Sequence, residues 1–197
     1  MNPVYVSYYT NDYAAVAARL RASLVRWKLD HEVIGIEDRG TWYANCALKP
    51  SFLEAMRDTH PGRSLVWIDS DAVVQKDPRW LMGYDCDVAA CRWRHPSHKR
   101  HEEVLSGTVY IGPGEGGARV LALWRDEIET GHDTQWDQVS LKLALARAKA
   151  EGLKVADLPV EYCFITDTHR AQYPDVEPVI EHFQMSRKTR RKQMGAR

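Results

Sequence analysis

The chain has 197 residues, 44% hydrophobic and 27% charged, which is the length of about one domain and enough apolar material for a buried core. Twenty-seven basic residues balance twenty-seven acidic ones, so the molecule as a whole has no field that draws nucleic acid or an anionic membrane, and any such attraction must be local. No run approaches the ~18 apolar residues of a spanning helix, and Met1-Asn2-Pro3 lacks the positive start of a signal peptide. The four cysteines, Cys46, Cys86, Cys91 and Cys163, form no Cys-x-x-Cys pair. These features predict a soluble, cytoplasmic protein with reduced thiols.

The first third alternates strand and helix. Val4-Tyr5-Val6-Ser7-Tyr8-Tyr9 has the β-branched and aromatic composition of a strand, and Thr10-Asn11-Asp12 ends it with turn and cap residues. Val16, Leu20, Leu24 and Trp27 then lay one apolar stripe along a helix. A second strand is expected over 31–36 and a second helix over 48–57. Ser64-Leu65-Val66-Trp67-Ile68 is a continuous apolar run, as in a strand buried on both faces of a parallel sheet. Asp77-Pro78 starts a short helical turn. Strands follow over 87–93 and 104–111, with Gly107 inside the second marking a bulge or a close approach of backbone to a ligand. A helix of about a dozen residues is expected after Pro113-Gly114-Glu115-Gly116-Gly117. The last long helix starts at Thr134, with Trp136, Val139, Leu143 and Ala146 as its buried stripe, widened by Leu141, Leu145 and Ala148. Extended segments over 155–165 and 179–183 complete the pattern, which is that of one α/β domain with a mixed, mostly parallel central sheet flanked by helices.

Asp69 and Asp71 lie two apart at the end of the buried third strand, where alternation points both carboxylates to one side. They sit at the carboxyl edge of the sheet, where ligands bind in such folds. No Lys or Arg stands between Trp67 and Val73, so the two carboxylates repel unless a cation joins them. Hard oxygen ligands suit Mg²⁺ or Mn²⁺, which commonly complete their shell with substrate phosphates. The competing reading is a plain strand-ending turn.

In this setting Trp67-Ile68-Asp69-Ser70-Asp71 resembles the DxD motif of the GT-A nucleotide-sugar glycosyltransferases, closest to the lipopolysaccharide galactosyltransferase and glycogenin type. Further stretches fall in the family order. Tyr8 through Asn11 matches the place where that family holds the nucleoside base, and Lys49 matches a basic residue ahead of the DxD strand. Leu105-Ser106-Gly107-Thr108-Val109 is similar to the segment beside the donor sugar, and Trp136-Asp137-Gln138 to an Asp-Gln pair at the anomeric centre. His182-Phe183-Gln184-Met185-Ser186-Arg187-Lys188 resembles a late motif with a metal-binding histidine and a lysine on diphosphate, although the family's Gly-Lys-Pro-Trp ending is absent.

The resemblance implies a single Rossmann-like GT-A domain over 1–186, followed by a basic tail over 187–197. It implies Mn²⁺ or Mg²⁺ on Asp69, Asp71 and His182, with the imidazole favouring Mn²⁺. It places the donor, a UDP-sugar first, against Tyr8, Thr10, Asn11, Lys49, Gly107, Thr108, Arg187 and Lys188, and gives Asp137 and Gln138 the catalytic positions. Taken alone, Asp137 fits equally a capping box with Thr134, and Lys49 fits a solvated surface charge.

Two other classes bear on the sequence. A sugar-nucleotide pyrophosphorylase needs a Gly-rich loop after the first strand, and Tyr8-Tyr9-Thr10-Asn11 contains no glycine. A nucleic-acid-binding module would use Arg187, Lys188, Arg190, Arg191, Lys192 and Arg197 with the basic 92–101 loop. The two ideas combine in a transferase whose acceptor is a polyanion, such as a modified base in bacteriophage DNA. His95, His98 and His101 recur every third residue, but no acid or cysteine completes a zinc set, and a solvated loop or an acceptor contact is expected there.

Overall fold

A computed structural model describes residues 2–94 and 102–185. The chain opens with β1 (Val4–Tyr9), α1 (Ala14–Arg26), β2 (His31–Gly35), α2 (Trp42–Cys46), α3 (Lys49–Thr59) and β3 (Leu65–Ile68). β2 and β3 both pair parallel to β1, one on each side. Every residue of β3 is buried, as its uninterrupted apolar sequence requires once helices cover both faces of the sheet. After β4 (Ala72–Val74) come β5 (Val88–Arg94), β6 (Glu102–Ile111), α4 (Glu115–Glu129), α5 (Asp137–Ala150) and β7 (Val155–Leu158). The central sheet runs β2-β1-β3-β6-β5-β7, with β6 antiparallel to both neighbours and β7 parallel to β5. This is the mixed, mostly parallel α/β sheet anticipated from the sequence.

A smaller sheet was not anticipated. β8 (Phe164–Ile165), the short helix α6 (Thr166–His169) and β9 (Ile180–His182) follow β7, and β9 pairs antiparallel to β4 and parallel to β8. Its strands are two or three residues long. Such lengths leave no period to read.

The core has two layers, one on each face of the large sheet. Leu20 and Leu24 of α1 pack with Val66, Ile68 and the small sheet's Ile165 and Ile180. On the other face Leu53 of α3, Leu121 and Trp124 of α4, and Leu141 and Leu145 of α5 pack against Val6, Trp67 and Val109. Truncating a fully buried leucine such as Leu20 to alanine would cost about 2–5 kcal/mol.

Helix α5 departs from the expected stripe. Ser140, Leu141, Ala144, Leu145 and Ala148 face inward, while Trp136, Val139 and Leu143 are 38%, 45% and 44% exposed. Helix α4 lies against α5, and small residues at 140, 144 and 148 let the two axes approach, so size outweighs hydrophobic count in choosing the buried face. The helix also begins at Asp137 rather than Thr134, and its N-cap, Trp136, makes no side-chain capping bond. The Thr134–Asp137 capping box therefore does not form.

Strand β6 carries an irregularity that positions the site. Ala90 pairs with Val109 and the next residue, Cys91, with Leu105, so Ser106, Gly107 and Thr108 drop out of the ladder to β5. On the other side they keep hold of β3: Ile68 pairs with Thr108, and the Asp69 N–H donates to the Gly107 carbonyl at 2.8 Å. Gly107 thus marks a bulge. Residues 95–101, with His95, His98 and His101, and residues 186–197, which include the 187–197 tail with Arg187 and Lys188, lie outside the described residues.

Candidate active site

The acidic pair emerges where β3 ends. A turn closed by the Ala72 N–H donating to the Asp69 carbonyl at 3.0 Å redirects the chain into β4. The Trp67 indole N–H donates to Asp69 Oδ1 at 2.9 Å, and the Met185 N–H donates to Asp71 Oδ2 at 2.8 Å. The two carboxylates therefore point to a common space rather than away from each other. His182 reaches the same space from β9, which pairs its backbone with Ala72. One ligand atom from each of Asp69, Asp71 and His182 falls within 4.8 Å of the others.

The His182 ring is buried and held on two sides. Thr108 Oγ1 lies 2.9 Å from Nε2, leaving Nδ1 as the nitrogen for a ligand. A Cβ on residue 107 would stand 2.9 Å from His182 Cε1, 3.1 Å from Nδ1 and 3.3 Å from the Cys163 sulfur, so only glycine leaves the ring where it is. Burial, with the Lys49 charge second, lowers the His182 pKa to about 3. The imidazole is neutral across the working pH range, the form that binds a metal.

Lys49, at the start of α3, is 4% exposed. Its ammonium sits 2.9 Å from Asp69 Oδ1 and 2.7 Å from Asp137 Oδ2, above the Trp67 ring at 5.3 Å. Burial acts to lower its pKa, but Asp137 and Asp69 together hold it well above the usual value. The surface-charge reading of Lys49 is overturned: the residue is interior because two carboxylates meet it there. Three carboxylates and one ammonium leave a surplus of two negative charges. Burial first and repulsion from Asp69 second push Asp71 up to about 6. A divalent cation among these groups would offset that surplus, and two carboxylates with a neutral imidazole form a donor set fitted to it.

The remaining candidates divide. Tyr8, Thr10, Lys49, Gly107, Asp137 and Gln138 line one cavity together with the acidic pair and His182. Tyr8 Oη donates to the Asn45 carbonyl at 2.6 Å, and its ring packs on Phe52 and Trp67. Trp124 Nε1 donates to the Asp137 carbonyl at 3.1 Å, and Gln138 Nε2 donates to Glu103 at 3.1 Å. Thr108 is fully buried and acts on His182 rather than on the cavity. Asn11 is exposed in a 3-10 turn and does not line the cavity, whereas Asp12 and Tyr13 of the same turn do.

A glycosyltransferase involved in glycosylation of the major capsid of PBCV-1 superposes with a TM-score of 0.73 at 10% identity, covering 100% of both chains. The fold is GT-A. Glycosyltransferase GlyE of Streptococcus pneumoniae matches at TM-score 0.61 and 17% identity over 93% of this chain and 54% of that one. Galactosyltransferase LgtC, solved with donor and acceptor sugar analogs, matches at 0.58 and 11% identity over 92% and 87%. No protein-family model and no curated protein sequence matches the chain.

Within this GT-A domain, sequence reasoning missed Trp42, Asn45 and Gln184, all of which line the cavity. Gln184 has φ 48°, unusual for a residue other than glycine, and its buried Oε1 has no hydrogen-bond partner among the described residues. No local pattern signals it, since its place follows from the small sheet. Trp42 and Asn45 belong to a five-residue helix with too few positions to show a face.

Proposed function

We propose that the chain is a metal-dependent glycosyltransferase that moves a sugar from a nucleotide-diphosphate sugar, a UDP-sugar in the first instance, to a hydroxyl acceptor. The observation that carries this reading is the convergence of Asp69, Asp71 and His182 in one cavity of a GT-A fold, with negative charge in surplus after Lys49 is counted. The nitrogen ligand favours Mn²⁺ over Mg²⁺. When bound, the ion supplies Lewis acidity to the departing diphosphate.

The chain's own residues do the rest. Asp69 shares one carboxylate oxygen between Lys49 and Trp67, which fixes its angle and leaves the other oxygen for a ligand. Thr108 orients the His182 ring through Nε2. Asp137, turned into the cavity and held by Lys49, accepts from donor sugar hydroxyls. Gln138 commits its amide nitrogen to Glu103, so its carbonyl oxygen is the group it offers beside the reacting carbon. Tyr8 and Thr10, with Asp12 and Tyr13, flank the end of the cavity assigned to the nucleoside. Arg187 and Lys188 are assigned to the diphosphate, where their charge would offset that of the leaving group.

Calorimetry with UDP and Mn²⁺ tests the reading. Wild-type protein should bind UDP only with the metal, and Asp69→Asn and Asp71→Asn should abolish that metal-dependent binding. Unchanged binding in both variants would remove the site. Hydrolysis of a panel of UDP-, GDP- and dTDP-sugars with Mn²⁺ identifies the nucleotide.

A further inference from the structure

The cavity has a second wall built from different chemistry. Trp42 of α2 and Trp136, just ahead of α5, meet edge to face with ring centroids 5.9 Å apart and planes at 82°. Tyr43 braces them: its ring lies 5.2 Å from that of Trp42, and its hydroxyl stands 3.4 Å from Trp136 Nε1. Both indoles line the cavity. Trp136 keeps 38% of its surface in water, an unfavourable state for so large a ring unless something covers it. Val139 and Leu143, one and two turns further along α5, extend this exposed side by about 10 Å at 1.5 Å per residue.

The position of this wall matters as much as its composition. Trp136 directly precedes Asp137, so the aromatic corner adjoins the Lys49–Asp137 pair and stands next to the space assigned to the donor sugar. The charge of the lining narrows what can enter. Among the described residues that line it, Asp12, Asp38, Asp69, Asp71 and Asp137 face one cation, Lys49, and these side chains together stay negative even with a divalent ion in place. These described carboxylates disfavour a polyanion beside them.

We infer that this corner is the acceptor subsite and that its occupant is an uncharged glycoside. The C–H face of a pyranose ring, polarised by its oxygens, matches the negative face of an indole, and the perpendicular second indole closes the side of the stack. A hydroxyl on the opposite edge of that ring turns toward Asp137 and Gln138. The exposed Val139 and Leu143 carry the part of the acceptor beyond the first ring. The assignment rests on the glycosyl-transfer reading, and it specifies the acceptor by chemical class.

Saturation-transfer NMR on the full chain tests it, with methyl glycosides of glucose, galactose and mannose as probes, each with and without UDP and Mn²⁺. At least one glycoside should receive saturation mainly at its ring C–H protons, and should shift the indole N–H resonances of Trp42 and Trp136. Trp136→Ala and Trp42→Ala should weaken that binding at least tenfold, and Trp136→Tyr should recover most of it. No glycoside binding to wild-type protein that does bind UDP with Mn²⁺ would overturn the subsite and leave the donor reading standing. Glycoside binding without any UDP binding would keep the subsite and sink the donor reading instead. Indole resonances that respond to a DNA duplex but to no glycoside would also overturn the proposal. So would tryptophan variants that retain both the wild-type unfolding midpoint and wild-type glycoside affinity.

Discussion

The Lys49 ammonium lies 2.7 Å from the Asp137 carboxylate, so one buried ion pair joins the first turn of α3 to the first turn of α5. Asp137 also sits where a helix N-terminus favours negative charge. Replacing Lys49 with methionine removes the partner of two carboxylates at once. Breaking a buried pair in this way costs about 3–5 kcal/mol. The Lys49→Met variant should show a markedly lower urea midpoint, and saturating Mn²⁺ should recover part of the loss by supplying the missing positive charge. An unchanged midpoint would contradict the pairing.

Gly107→Ala separates the site from the scaffold. The added methyl meets the His182 ring at 2.9 Å, inside any ordinary contact distance. Overpacking of this kind costs about 1–3 kcal/mol of stability. Loss of Mn²⁺ affinity should be the larger effect, at least tenfold, because Nδ1 is displaced from the carboxylates. Mn²⁺ titration followed by electron paramagnetic resonance, beside thermal melts, measures both.

Thr108→Val keeps the shape of the side chain and deletes the hydroxyl that holds His182 Nε2 at 2.9 Å. Partners of a ligating histidine are typically worth 10–100-fold in metal affinity. The same titration should therefore register a drop in that range, with Asp69 and Asp71 intact. A variant that binds Mn²⁺ as tightly as wild type would show that Thr108 does not orient the ring.

Two pH effects run in the same sense, both strengthening as pH rises. Asp71 is raised to about 6, so below that pH a proton competes with the ion, and Mn²⁺ affinity should climb as pH rises through 6 and then level off. His169, fully buried with its Nδ1 accepting from the Ile165 N–H, is lowered to about 4 by burial, with the His182 neighbour second. The unfolded chain binds its proton near 6.5 and the folded chain does not, so this contribution to stability is present above 6.5 and is lost as pH falls toward 4. Calorimetric titrations and urea midpoints at pH 5, 6 and 7 check the two effects.

How much of this was legible in the sequence follows from where the signals reside. β1, α1, β2, α3 and β3 have composition or period enough to be read along the chain, and so does the acidic pair that ends β3. Lys49 does not, because what makes it interior is Asp137, 88 positions away in sequence. α5 misleads for a different reason: it carries apolar residues on several sides, and the face against α4 is chosen by the smallness of Ser140, Ala144 and Ala148. Gly107 could be read as a bulge or a ligand contact, and it is a bulge whose open space is filled by an imidazole. The two- and three-residue strands that deliver His182 and Gln184 have no periodicity at all; pairing among β4, β9 and β8 defines them.

That delivery route bears on how the protein matures. The backbone N–H of Met185 closes on Asp71 across 114 positions, and His182 joins the acidic turn through the same late segment. A nascent chain contains β1 through β3 long before this segment exists. During synthesis there is therefore a period in which both acidic residues of the candidate trio are present and its histidine is not, and fragments ending before β9 should show no specific Mn²⁺ binding.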